Sequence, residues 1–299
     1  MKKILSLFGI MAITLTGCGD PDNTINEVLD NVGTGAVLRT ISSSGSFNFY
    51  DQANSVFSAT IEAHDTEDGG LMQNVEIYLS ADGGAESLFR TMTPSDFTTG
   101  PTGLPRGSFQ VSLSDFASAG VSFGGASVTK IRLQYNLTNG ESYSDDTVTG
   151  SMTGSYFASP YAYRLLVGCF VTDGSAVPGI YTFTMTDSYG DGWQGSHIKF
   201  TVDGTVNYVA MPSPYSSNAA HNAAITGSYS GNDSAGTMAV TVPAGASTMS
   251  IEYVLGSYPG ETGWSVDYTA LDGTSDAQNA YSGGGGYSSD GVKILSICK

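Results

Sequence analysis

The stretch IYTFTMTDSYGDGWQGSHIKFTVDGTVNYVAM, residues 180–211, reads as strand, rim turn, strand, hairpin, strand. Tyr181, Phe183 and Met185 alternate with threonines, and Ile198, Phe200 and Val202 alternate with Lys199, Thr201 and Asp203. Successive side chains of a strand point to opposite faces, so each run has one apolar and one polar face and is half buried. Asp203 and Gly204 form the dipeptide that a tight hairpin favours. Between the first two runs, residues 186–195 gather two aspartates, a tyrosine, a tryptophan and three glycines into a connection at one rim of the layer.

The same period of two recurs outward from there. Met238, Val240 and Val242 form one run, Met249, Ile251, Tyr253 and Leu255 another, and Trp264, Val266 and Tyr268 a third, before a final strand VKILSIC preceded by the glycine-rich SGGGGYSSDG. In the first half, Phe57, Ala59 and Ile61, then Val75, Ile77 and Leu79, then Phe109, Val111 and Leu113, then Ile131, Leu133, Tyr135 and Leu137 repeat the pattern. Helical periodicity is nearly absent, apart from a short helix at LSDFASAG with Ser114 as its cap. The chain is therefore all-β, and its length exceeds one comfortable core, so two β-sandwich domains are expected. An immunoglobulin-like sandwich over residues 36–168 and a jelly-roll-like sandwich over residues 169–299 accommodate the order of runs.

The chain has 11 basic against 28 acidic residues and a net charge of −17. That balance argues against nucleic acid and anionic lipid as partners. Its simplest meaning is a soluble surface that resists association, although such charge also gathers divalent cations. At the N-terminus, Lys2 and Lys3 precede ILSLFGIMAITL, which is too short to span a bilayer and right for the core of a signal peptide. Residues 1–17 are read as that signal and residues 18–35 as a polar tether with one helical turn at INEVLDNV. Beyond Cys18 only Cys169 and Cys298 remain. In an exported protein they are expected to pair and tie the last strand to the start of the second domain, two buried free thiols being the other possibility.

The rim connection brings Asp187 and Asp191 toward one concave spot with backbone carbonyls between them, which suits a hard cation such as calcium. It lacks the acidic ladder of an EF-hand. A structural turn pinned by Trp193 fits the same residues. Loop aromatics are candidates for stacking on a sugar ring, and Tyr189, Trp193 and Tyr215 rank ahead of Tyr258 and of Trp264, whose alternation with Val266 and Tyr268 puts it in the core. A second acidic turn holds Glu62, Asp65, Glu67 and Asp68 beside His64, and reads as solvated hairpin acids before calcium ligands. His64, His197 and His221 fit no zinc spacing, and neither a His-Glu-x-x-His nor a Gly-x-Ser-x-Gly element occurs. The chain is not expected to be an enzyme.

Four resemblances add to this reading. LTGC, ending at Cys18, resembles the lipobox of bacterial lipoproteins, which implies cleavage before Cys18 and acylation (palmitate among the chains) of that residue, hence an outer-membrane anchor. The acidic GDPDN after the lipobox is similar to the export tag of surface-exposed lipoproteins of Bacteroidetes-type bacteria and implies display at the cell surface. Residues 36–168, through AVLRTI, IEAHDTEDGGLMQNVEIYLS, GLPRG and FASPYAYRLLVGC, resemble a domain of surface lipoproteins that accompany TonB-dependent nutrient transporters of the starch-utilisation type. DSYGDGW, with VPAG and GSYPGETGWSVDY further on, resembles a β-sandwich module marked by Asp-Ser-Tyr-Gly-Asp-Gly-Trp-Asn-Gly, with Gln194 where the module has asparagine. That likeness implies Glu261 as a third ligand beside Asp187 and Asp191. Together the resemblances imply an accessory binding subunit of a nutrient-uptake complex, partnered by a TonB-dependent transporter and its capture lipoprotein, with an oligosaccharide or peptide as ligand. A structural or adhesive surface protein with a calcium-stabilised second domain is the alternative.

Overall fold

A computed structural model describes residues 35–171, 174–273, 278–283 and 290–298. Cys18, the signal peptide, the INEVLDNV turn and most of SGGGGYSSDG lie outside the described residues. Within them the fold is all-β and sandwich-type. No helix among the described residues is long and apolar enough to cross a membrane.

In the first sandwich one sheet runs in the order Val37–Gly45, Val56–His64, Pro105–Ser112, Phe97–Thr99. The other runs Phe47–Asn48, Ala162–Gly168, Val128–Leu137, Met72–Ala81, Ser87–Met92. Lettered along the chain, A-B-E-D faces A′-G-F-C-C′, the immunoglobulin arrangement, with the short A′ strand parallel to G. The alternating runs point inward as their period requires: Ile61, Val75, Ile77, Leu79, Val111 and Ile131 are sealed from solvent. Phe57 and Tyr163 meet across the layers with ring centroids 4.9 Å apart.

The short helix is Leu113–Ser118, and its cap is Ser112, two residues earlier than the expected Ser114. Ser112 accepts from the Asp115 amide at 3.2 Å while Asp115 accepts from the Ser112 amide at 2.7 Å, a reciprocal box that Ser114 could not make because Ala117 stands three residues after it. Ser114 falls inside the helix, where its carbonyl accepts from the Ser118 hydroxyl.

The second sandwich pairs a sheet of order Ser230–Gly231, Ala235–Val242, Gly179–Asp187, Thr262–Thr269, Gln278–Gly283 with one of order Thr205–Val209, His197–Val202, Met249–Val254, Gly291–Val292. Its pairings are antiparallel. Asp203 and Gly204 both take positive φ, as the hairpin requires. The segment VKILSIC is not one strand. Gly291–Val292 pairs with Met249–Val254, and Leu295–Ser296 leaves to pair with Phe170–Val171, the turn between them held by the Lys293 amide on the Ile251 carbonyl at 2.9 Å.

Buried apolar side chains form two clusters, one drawn from Ala36 to Val167 and the other from Val171 to Ile297. The join between them is specific. Cys169 and Cys298 form a disulfide across 129 residues of sequence. In the chain-entropy view a loop of that length stabilises by up to about 5 kcal/mol. Beside it, Asn48 of the first sandwich exchanges hydrogen bonds with the Phe170 backbone at 2.7 and 3.0 Å, and Tyr50 donates to the Ile297 carbonyl at 2.7 Å.

Candidate ligand and metal site at the rim of the second sandwich

Asp187 ends the strand Gly179–Asp187, opposite Thr262. It is 4 % exposed. The chain then turns through Gly190 and Gly192, both at positive φ, so the amides of Gly190 and Asp191 fold back onto Asp187 Oδ1 at 2.5 and 3.3 Å. Oδ2 of Asp187 is buried with no hydrogen-bond partner. Burial raises the Asp187 pKa; the loop amides oppose this, and nearby Asp191 adds to it.

Asp191 is held from the other side by Gln194, whose amide Nε2 donates to Oδ1 and, at 3.3 Å, to the Asp191 carbonyl. Gln194 thus positions an acid and turns its donor group, not an acceptor, toward it. Glu261 arrives from the short turn Pro259–Glu261, which follows Tyr258 in the left-handed region. Desolvation and the charges of Asp187 and Asp191 raise the Glu261 pKa. Each of the three acids brings a carboxylate oxygen within 4.8 Å of the others, and among the described residues they are the one such group of three. Asp187, Asp191 and Glu261, distant in sequence, therefore converge.

Beside them lies a cavity of about 550 Å³ whose walls include Asp191, Gln194, Glu261 and three tyrosines, Tyr189, Tyr215 and Tyr258. The tyrosines are 73 %, 52 % and 66 % exposed. Large aromatics left this open around one concavity present apolar faces with a polar tip, which is what stacking on a sugar ring requires.

Trp193 does not join them. It is fully buried, donates from Nε1 to the Thr186 carbonyl at 3.0 Å and packs edge-on against Tyr253. The reading of Trp193 as a ligand aromatic is corrected: the glycines on either side of Asp191 turn the chain inward, so the indole anchors the loop from beneath. Tyr258 takes its place on the cavity wall. Its signal in the sequence was its place in the Tyr-Pro-Gly turn directly ahead of Glu261, since turns of this composition run over the surface.

The other acidic turn is also corrected, because half of it is not solvated. Asp65, 5 % exposed, accepts from the amides of Glu67, Gly69 and Leu71 and from the Tyr135 hydroxyl, and so organises the hairpin. Glu62, 1 % exposed, is clamped by Arg39, Arg106 and Thr102. With their oxygens so committed, these acids are structural. His197 stacks on Tyr208 at 3.9 Å, and His221 is buried with Nε2 at 3.0 Å from the Met211 carbonyl. Burial lowers the pKa of both histidines.

No known family's sequence pattern matches the chain, and a search of curated proteins finds no match to it.

Proposed function

We propose that this is a surface lipoprotein of the outer membrane that acts by binding, as an accessory subunit of a nutrient-uptake complex. Its ligand seat is the tyrosine-walled cavity at the rim of the second sandwich, and an oligosaccharide is the ligand class that suits it best. The observation that carries this reading is the grouping of exposed Tyr189, Tyr215 and Tyr258 around one cavity of about 550 Å³. Exposed aromatics scattered singly need no explanation, whereas three converging on a concavity do. The lipobox-like LTGC and the domain resemblance over residues 36–168 supply the anchor at Cys18 and the transporter partner. The test is isolation of the tagged protein from its own outer membrane in mild detergent. Co-isolation of a TonB-dependent transporter and its capture lipoprotein supports the reading; recovery of the protein alone counts against it.

A second reading, a structural or adhesive protein with a calcium-stiffened second domain, is favoured by the unpartnered Oδ2 of buried Asp187. Calcium-dependent attachment of cells to a surface, without transporter partners, distinguishes it.

A further inference from the structure

We propose that the acidic triad and the tyrosine cavity are one site: Asp187, Asp191 and Glu261 hold a Ca²⁺ ion whose remaining coordination positions open onto the cavity, where it takes a neutral ligand through a pair of adjacent hydroxyls. The ligand half of this rests on the cavity being the binding seat.

The argument begins with Asp187. Its Oδ1 is committed to two loop amides, while Oδ2, in a residue 4 % exposed, has no donor. A buried carboxylate oxygen left unpaired is costly, and here the nearest charged groups, Asp191 and Glu261, are of the same sign. A cation at the convergence point removes both penalties at once. Carboxylate oxygens within 4.8 Å of one another are close enough to share one ion at the roughly 2.3–2.6 Å bond lengths of calcium. Hard oxygen donors with no histidine or thiol among them also select calcium over zinc or copper.

The open face follows from counting donors. Calcium takes roughly six to eight oxygens, whereas Asp187 Oδ1 is tied to loop amides and Asp191 Oδ1 to the Gln194 amide nitrogen, so the three carboxylates have at most four oxygens uncommitted. Asp191 and Glu261 line the cavity, whereas Asp187 sits behind them. The unfilled positions therefore face the cavity that Tyr189 and Tyr258 also line. Three carboxylates against a divalent ion leave one negative charge, which disfavours a polyanion and suits a neutral polyhydroxyl compound whose apolar face rests on a tyrosine.

The test uses the intact chain in mild detergent, stripped by chelator and titrated with Tb³⁺, whose luminescence lifetimes in H₂O and D₂O count coordinated waters. Saturable binding competed by Ca²⁺, with about two or more coordinated waters, is expected. Both Asp187→Asn and Glu261→Gln should weaken it by about tenfold or more. Glu261→Gln is the safer variant, because the hydrogen bonds of Glu261 to the fold run through its backbone. Methyl α-mannoside, a small neutral sugar with adjacent hydroxyls, should reduce the water count. Absence of ion binding, unchanged affinity in both variants, or a shell with at most one water overturns the site. A water count indifferent to the mannoside overturns direct coordination of the ligand. Failure at either point leaves the transporter co-isolation standing or falling on its own result.

Discussion

The Ser188 amide donates to the Glu261 carbonyl oxygen at 2.9 Å, joining two segments that lie 73 residues apart in sequence. That one bond fixes the distance between the loop bearing Asp187 and Asp191 and the turn bearing Glu261. It is continuous with the strand ladder in which Asp187 opposes Thr262, so the rigid sheet, not the loop, sets the geometry of the acids. The Ser257 amide on the Gln194 carbonyl, also at 2.9 Å, pins the same two segments a second time from the far side of the turn.

The proposed ion predicts that chelation costs stability. An ion that binds only the folded state stabilises by RT ln(1 + [L]/Kd), about 2.7 kcal/mol at a hundredfold excess over Kd. The expected outcome is a chelator-induced drop in Tm for the wild type and none for Asp187→Ala/Asp191→Ala. Equal responses from both proteins in differential scanning calorimetry dispose of the ion as a stabilising ligand.

Gly192 should tolerate no side chain. Its φ is +75°, and a Cβ there would lie 2.0 Å from the Pro212 carbonyl oxygen, a backbone atom that cannot swing away. Gly204, in the Asp203–Gly204 hairpin, has φ +79° but open space around a Cβ. Gly192→Ala is expected to lower stability by about 3 kcal/mol or more and Gly204→Ala by about 1 kcal/mol. Urea unfolding midpoints measured side by side decide between a steric and a purely conformational role.

The aromatic residues of the rim should separate cleanly into two kinds. Trp193→Ala removes a fully buried indole and is expected to cost about 3–5 kcal/mol. Tyr189→Ala and Tyr258→Ala change exposed side chains and should leave stability within about 0.5 kcal/mol while weakening oligosaccharide binding. A glycan-binding assay on folded variants checks this; undiminished binding by Tyr189→Ala/Tyr258→Ala removes the cavity from consideration.

Much of the architecture was legible because period two is a local property. Ile131, Leu133 and Tyr135 declare their face within five residues, and Asp203–Gly204 declares its turn within two. Legibility failed where long-range packing decides. Nothing within the string DSYGDGWQG says that Trp193 turns down and Tyr189 up; that depends on Tyr253, in another strand, packing against the indole and on the Met211 carbonyl, beyond the end of Thr205–Val209, accepting from the Trp193 amide. Glu62 looked solvated for the same reason, since its partner Arg106 lies 44 residues away, and the burial of Asp65, whose loop-amide bonds are local, likewise depends on Tyr135, 70 residues away. The division of VKILSIC between two sheets depends on Phe170, far upstream.

Glu62 gives the pH dependence a definite sign. Burial pushes its pKa up, but the hydrogen bonds from Thr102, Arg106 and Arg39 together outweigh burial and hold it below the ordinary glutamate value of 4.5. A carboxylate whose pKa is depressed by folding contributes stability that is fully present above its unfolded value and is lost as pH falls through the folded value. The wild type should therefore lose stability progressively below about pH 4.5 from this group. In Glu62→Gln the neutral amide leaves Arg39 and Arg106 without their shared counter-charge, at a cost of about 2 kcal/mol near neutral pH, the partial exposure of both arginines limiting the loss. Because glutamine does not titrate, the gap between wild type and variant should narrow steadily as pH falls from 4.5. Parallel urea titrations from pH 7 down to about pH 3 read that gap directly. A gap that stays constant across the range means that the carboxylate charge of Glu62 contributes nothing, and that the Arg39–Glu62–Arg106 clamp acts by packing alone.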